Sequence, residues 1–346
     1  MEIASADLAD LAAGATLLGS GGGGDTVSAA ILVRRVLERY GPVRLVAPSE
    51  LDPDDWVITV AAIGAITVML ERLPGGDEFV TAVRTLERWL GVRASAVQGM
   101  EAAGFNALIP VAVAAWLDLP LVDADGMGRA FPRLDQTVFT LSEVPAAPAV
   151  LVDPSGDTVI IGSGDNAAVE RLARAALPAL GAWAASALYP MRAGQVERAA
   201  LTGSFSRAIR LGRMLRTAQR TRARAGLSAE GGEILFSGAV LQVRQRTPYG
   251  LGVATLEHTR DRERTLRIEL ADEFLLALDD GSIVGCVPDL ISLVDTRSWQ
   301  PVSADRLTPG RHVDVLRLPA PARWHEPAGR ALAGPAAFGL YLPEGM

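Results

Sequence analysis

Hydrophobic and polar positions change rhythm along this chain, and the changes divide it. Up to about residue 165, short apolar runs of strand length alternate with longer stretches whose apolar positions recur every three or four residues. Residues 5–18 predict a helix capped by Ser5 or Asp7, with Leu8, Leu11 and Leu17 among its apolar positions. A second helix is expected over 27–40, others over 78–90 and 107–116. Strands are expected at 43–46, 56–61, up to Val97, and at 119–122. Residues 149–152 and 158–161 flank Asp153-Pro154-Ser155-Gly156-Asp157 and read as a hairpin. Strands alternating with helices predict a layered α/β domain.

The pattern then becomes helical over 166–226, and from Gly231 it turns to short β-type runs. These are separated by turn residues such as Asp279-Asp280-Gly281 and Pro309-Gly310. The expectation is therefore an α/β N-terminal domain over 1–165, a helical connecting segment over 166–230, and a β-rich, barrel-like C-terminal domain over 231–346.

Composition narrows the chemistry. The 346 residues are long enough for two cores, and the net charge of −7 gives no global attraction for nucleic acid. Arg207, Arg210, Arg213, Arg216, Arg220, Arg222 and Arg224 form a basic run, read as a solvated helix face because no aromatics interleave it. The longest apolar run, 57–70, is too short to span a bilayer, and the acidic N-terminus does not resemble a signal peptide; a cytoplasmic protein is expected. The single cysteine, Cys286, lies in VGCVPDLI and reads as core. There is no lysine, which excludes Schiff-base and P-loop chemistry, and there are only three scattered histidines, too few for a His-rich metal centre. No cofactor is expected. Any metal would be a hard cation such as Mg²⁺ on carboxylates, and stoichiometric zinc would contradict this reading.

Two stretches carry candidate chemistry. The first is Gly19-Ser20-Gly21-Gly22-Gly23-Gly24-Asp25, ahead of a helix, where Gly22, Gly23 and Gly24 would let a ligand approach the backbone and Asp25 would be a positioned carboxylate. The second runs from Gln98 to Phe139. A polar turn holding Glu101, Gly104 and Asn106 leads into an apolar helix and a short strand. Behind the strand comes a loop with Asp123, Asp125, Gly126, Gly128, Arg129 and Asp135. Open α/β sheets place ligands outside the carboxyl ends of their strands, so the two stretches are expected to share one cleft. One of Asp25, Glu101, Asp123 and Asp125, its pKa raised, would act as general base. Arg129 would clamp a carboxylate or imide oxygen, with Asn106 and the Gly21–Gly24 backbone stabilising developing charge. Against this, Asp123 and Asp125 would only cap the turn and pair with Arg129.

SGGGGD, FNALIPVAVAA, LPLVDADGMGRAFP and VPDLISLVD together resemble the S-methyl thiohydantoin desulfurase-like family across nearly the whole chain. The resemblance implies an α/β domain followed by a barrel-like one. It also implies hydrolytic removal of methanethiol from an S-methylated thiohydantoin, leaving a hydantoin. The family's frequent Gly-Gly after the glutamate is here Ala102-Ala103, and its Ala-Pro is here Ala65-Ile66, so the pocket floor is expected to differ. Three readings follow: a hydrolase on a cyclic amide-type ring; a lyase or isomerase with a divalent metal on Asp123, Asp125 and Glu101; or a non-catalytic partner of a hydantoinase-type enzyme. The partner expected is a small-molecule substrate, with no membrane or nucleic acid, in a possible homo-oligomer.

Overall fold

The strand Trp56–Gly64 shows how the first half is built. Its apolar residues run without alternation because both faces are covered. Ile58, Val60 and Ala62 pack with the helices Leu8–Leu18, Thr26–Tyr40 and Ile109–Leu117, while Val57, Ala61 and Ile63 join a second core on the opposite face. In this computed structural model, which describes residues 1–72, 74–217, 220–247 and 250–342, the strand lies inside an eight-stranded mixed sheet. Val43–Val46, Leu121–Val122, Ala94–Gly99 and Trp56–Gly64 are parallel neighbours in that order. Trp183–Arg192, Ala149–Val152 and Thr158–Ile161 extend the sheet antiparallel, and the last two form the expected hairpin.

Trp183–Arg192 corrects the helical expectation for 166–226. Its sequence, WAASALYPMR, is Ala-rich and favours helix locally, but it is paired on both edges and its first seven residues are buried. Two-sided burial removes the alternation by which a strand is recognised. The helices Asn166–Ala176, Ser204–Leu215 and Arg220–Ala229 lie before and after it in the sequence. The first sheet thus draws a strand from beyond residue 165.

The second half forms another eight-stranded sheet, antiparallel throughout, from Glu233–Arg244 to His312–Leu318. Barrel-like closure is not found among the described residues. The outer strands Ser282–Cys286 and Pro301–Val302 each pair on one side only. One is two residues long and carries a proline that offers no N–H, features that end a sheet and do not close it. The basic run is largely neutralised: Arg207 and Arg210 face Glu230, and Arg213 and Arg216 face Asp10. The side chains of Arg220 and Arg222 lie outside the described residues. Cys286 is half-buried, and burial raises its thiol pKa. No helix among the described residues is long and apolar enough to cross a membrane.

Candidate active site between two sheets

The Gly-rich turn lies between the two sheets. The Ser20 hydroxyl donates to Ile291 O at 2.7 Å, and the Phe274 amide donates to Ser20 O at 2.6 Å, so both halves hold the turn. Gly23 then meets Gly104 of the Glu101 turn backbone to backbone. The Phe105 amide donates to Gly23 O at 2.6 Å, and a Cβ on Gly104 would lie 2.0 Å from that oxygen. Gly104 also has φ +54°, which L side chains rarely adopt. Gly104→Ala should therefore separate the two turns and destabilise the chain by about 2 kcal/mol or more, read by urea denaturation. An unchanged unfolding midpoint would show that the turns do not need this contact.

Glu101 follows the strand Ala94–Gly99 and is held by Asn106, whose Nδ2 donates to Glu101 Oε1 at 2.8 Å and to Ala62 O at 3.1 Å. Asn106 Oδ1 accepts from the Ala62 amide at 2.8 Å, so the amide side chain is locked at the end of Trp56–Gly64. Glu101 Oε2 is buried and has no hydrogen-bond partner. Burial pushes the Glu101 pKa up to about 8; the Asn106 hydrogen bond opposes this, and the nearby Glu273 and Asp125 charges add to it. The Phe131 amide, which comes near the carboxyl without the geometry of a full hydrogen bond, opposes it weakly.

The other three carboxylates of the sequence reading are engaged elsewhere. Asp125 Oδ2 accepts from the Ala102 amide at 2.7 Å and the Gly128 amide at 2.9 Å, and Oδ1 accepts from Ser204 Oγ at 2.8 Å. It ties the Glu101 turn to its own loop; burial raises its pKa to about 6 against those bonds. Asp123 accepts from the amides of Phe205 and Ser206 and from the Ser206 hydroxyl, capping the helix Ser204–Leu215. Asp25 caps Thr26–Tyr40 through the Val27 and Ser28 amides and pairs with Arg306 at 3.3 Å. Its pKa is lowered: burial raises it, but the Ser28 and Val27 hydrogen bonds outweigh burial.

Arg129 is fully buried, and its hydrogen bonds go to backbone carbonyls and not to Asp123 or Asp125. Its Nη1 donates at 2.8 Å to both Pro288 O and Asp289 O of the second half, and Nε donates to Ala130 O at 3.1 Å. Nη2 has no partner. Burial lowers its pKa to about 10, opposed by the charges of Glu273, Asp289 and Glu101.

A cleft of about 360 Å³ opens between the sheets, walled by Gly23, Ala62–Gly64, Glu101, Asn106, Ala130–Leu134 and Glu273. Gly23 and the segment just after Arg129 thus meet there, while Asp123 and Asp125 do not line it. Gly22, Gly24 and Asp25 border a separate space of about 810 Å³ beside Thr26–Tyr40. Gly128 borders a third, with Ala102 and Ser204. Among the described residues no group of three or more His, Cys, Asp or Glu is placed to hold a metal ion.

Glu273 was not among the expected residues. It stands in a turn of the second sheet, buried, with Oε2 unpartnered. Burial pushes its pKa up to about 7, with Asp272 adding to the shift and Arg129 opposing it. In sequence it is one acid of an Asp-Glu turn, which reads as solvated surface.

The chain is similar over nearly its full length to the crystal structure of a protein from Chromobacterium violaceum. The two are 29% identical, with a TM-score of 0.84 over 99% of this chain and 98% of that one. No curated protein matches. The model of the S-Me-THD-like N-terminal domain matches residues 6–163 and that of the S-Me-THD-like C-terminal domain matches residues 164–344, so the chain belongs to the S-Me-THD-like family.

Proposed function

We propose that the protein is a hydrolase of a small cyclic amide- or imide-type ring, of the S-methyl thiohydantoin or hydantoin kind. One observation carries this reading: Glu101 has one oxygen locked by Asn106 and the other buried and unpartnered, on the wall of a cleft of about 360 Å³. That space is at the lower end of small-molecule pockets and suits a five-membered ring with short substituents. With its pKa at about 8, Glu101 keeps its proton near neutrality and can donate it as charge develops on a ring nitrogen. Asp123, Asp125, Asp25 and Gly128 then act as scaffold, and Gly23 leaves room for the ring.

The test is incubation of the whole chain with S-methyl thiohydantoins and unsubstituted hydantoins, trapping released thiol and analysing the ring product, with and without chelator. Thiol release that survives chelation supports the reading. Turnover of no ring in either series would refute it, and activity lost on chelation and restored by Mg²⁺ would replace it with the metal-dependent alternative.

A further inference from the structure

Glu273 and Glu101 reach the same cleft from different sheets. Glu101 hangs from the turn after Ala94–Gly99 of the first, and Glu273 from the turn between Thr265–Leu270 and Phe274–Asp279 of the second. They are only 5% and 4% exposed, and in each the Oε2 atom has no partner. A buried polar atom without a partner is unfavourable unless something else binds it, and here both such atoms belong to residues lining one substrate-sized space. We propose that Glu273 is a second catalytic carboxyl of this site, the base that takes a proton from the attacking water while Glu101 supplies the acid. The proposal rests on the hydrolase reading and adds that the site is complete only when the two halves are docked.

Proton bookkeeping favours a pair. Take a ring carbon doubly bonded to nitrogen and bearing an S-alkyl group. Water adds, its oxygen bonding to that carbon while the C=N pair moves onto nitrogen. Glu273 takes one water proton, and Glu101 gives its own proton to the nitrogen. The added hydroxyl then becomes a carbonyl and passes its proton to Glu101. The C–S bond breaks with its pair on sulfur, and Glu273 protonates the thiolate. The products are a ring amide and a thiol. The pair ends as it began, with one proton between two carboxyls, and no oxidant or other co-reactant is needed.

The surroundings decide which carboxyl starts ionised. Glu101 faces two acids, Glu273 and Asp125, with Arg129 the nearby cation. Glu273 faces Asp272 and Glu101, but two cations, Arg129 and Arg246, favour its charge. The single negative charge of the pair therefore rests better on Glu273.

The experiment compares wild type, Glu273→Gln and Glu101→Gln by the pH dependence of kcat/KM for thiol release, and by NMR titration of ¹³C-carboxyl-labelled glutamate. Glu273→Gln should fold as wild type does by circular dichroism yet lose roughly 10²–10⁴-fold in kcat/KM, with the acid limb of the profile gone from what remains. In Glu273→Gln the Glu101 resonance should titrate at lower pH, because the neighbouring carboxylate that ionises first has been neutralised. Wild-type turnover by Glu273→Gln, or a Glu101 titration indifferent to Glu273→Gln, would overturn the pair. A wild type that turns over no ring but keeps the coupled titration refutes the hydrolase reading and not the pairing.

Discussion

Arg129→Met is expected to destabilise the folded chain by about 3 kcal/mol, because it removes the donor that joins the DADGMGR loop to the second sheet. Methionine fills much of the same apolar path but leaves the carbonyls of Pro288, Asp289 and Ala130 without their buried donor. It also takes a fully buried cation away from Glu101 and Glu273. Relief of the arginine's own desolvation offsets part of the loss, which therefore stays near the low end for breaking a buried charged network. Arg129→Lys should fall between the two, since one ammonium cannot reproduce the fork that reaches all three carbonyls. Urea denaturation measures the stability change. With the cation gone both carboxyls hold their protons more tightly, so the pH optimum of any turnover should move upward. An Arg129→Met protein as stable as wild type would show that the guanidinium is not the clamp. The bidentate grip on a ligand carboxylate expected from sequence is unsupported on the Nη1 and Nε side, which protein carbonyls occupy.

The second large effect runs opposite to intuition: Glu101→Gln should abolish the proposed ring turnover and stabilise the protein at high pH. Burial raises the pKa of Glu101 to about 8 and that of Glu273 to about 7, from ordinary values of 4.5. Between about 4.5 and 8 the native state therefore holds more protons than the unfolded state, and stability falls as pH rises through that window. At pH 9 both carboxyls are ionised in a site that disfavours their charge, and the penalty is complete. Glutamine keeps the hydrogen bond to Asn106 and cannot ionise. Each tenfold change in proton affinity between the folded and unfolded states corresponds to about 1.4 kcal/mol. Allowing for relaxation of the site, Glu101→Gln should be more stable than wild type by about 2 kcal/mol at pH 9. The two proteins should be nearly equal at pH 4.5. Chemical denaturation at the two pH values reads this directly. A pH-independent difference would mean that Glu101 ionises as an ordinary exposed acid does.

Such behaviour is what the proposed site, trading stability for chemistry, should show. Its unpartnered atoms cluster where the halves meet, while the carboxylates around it are saturated with donors. Asp125 fixes the turn that carries Glu101, and Asn106 fixes Glu101 itself. The acid is held in place by groups that do not themselves face the cleft, together with one that does. That is the arrangement a positioned proton donor requires.

The hydrophobic rhythm by itself determined the alternation of strands and helices in the first half, because runs such as Trp56–Gly64 and the amphipathic Asp77–Leu90 carry their period locally. It also marked Glu101 and Asn106, since a polar Gly-containing turn after a buried strand is a local anomaly. The motifs placed the chain in its family. Tertiary structure decided the rest, and in each case the cause lies far off in sequence. Trp183–Arg192 is a strand because Trp56–Gly64 and Ala149–Val152 flank it. Asp123 and Asp125 are taken up by hydrogen bonds because the start of Ser204–Leu215 arrives with amides and a hydroxyl to bind them. Arg129 turned toward carbonyls some 160 residues away. Glu273 is an acid in a turn until the second sheet docks against the Gly-rich turn. Only then is it buried, unpartnered and beside Glu101, because desolvation and charge coupling depend on neighbours in space and leave no periodicity in the chain.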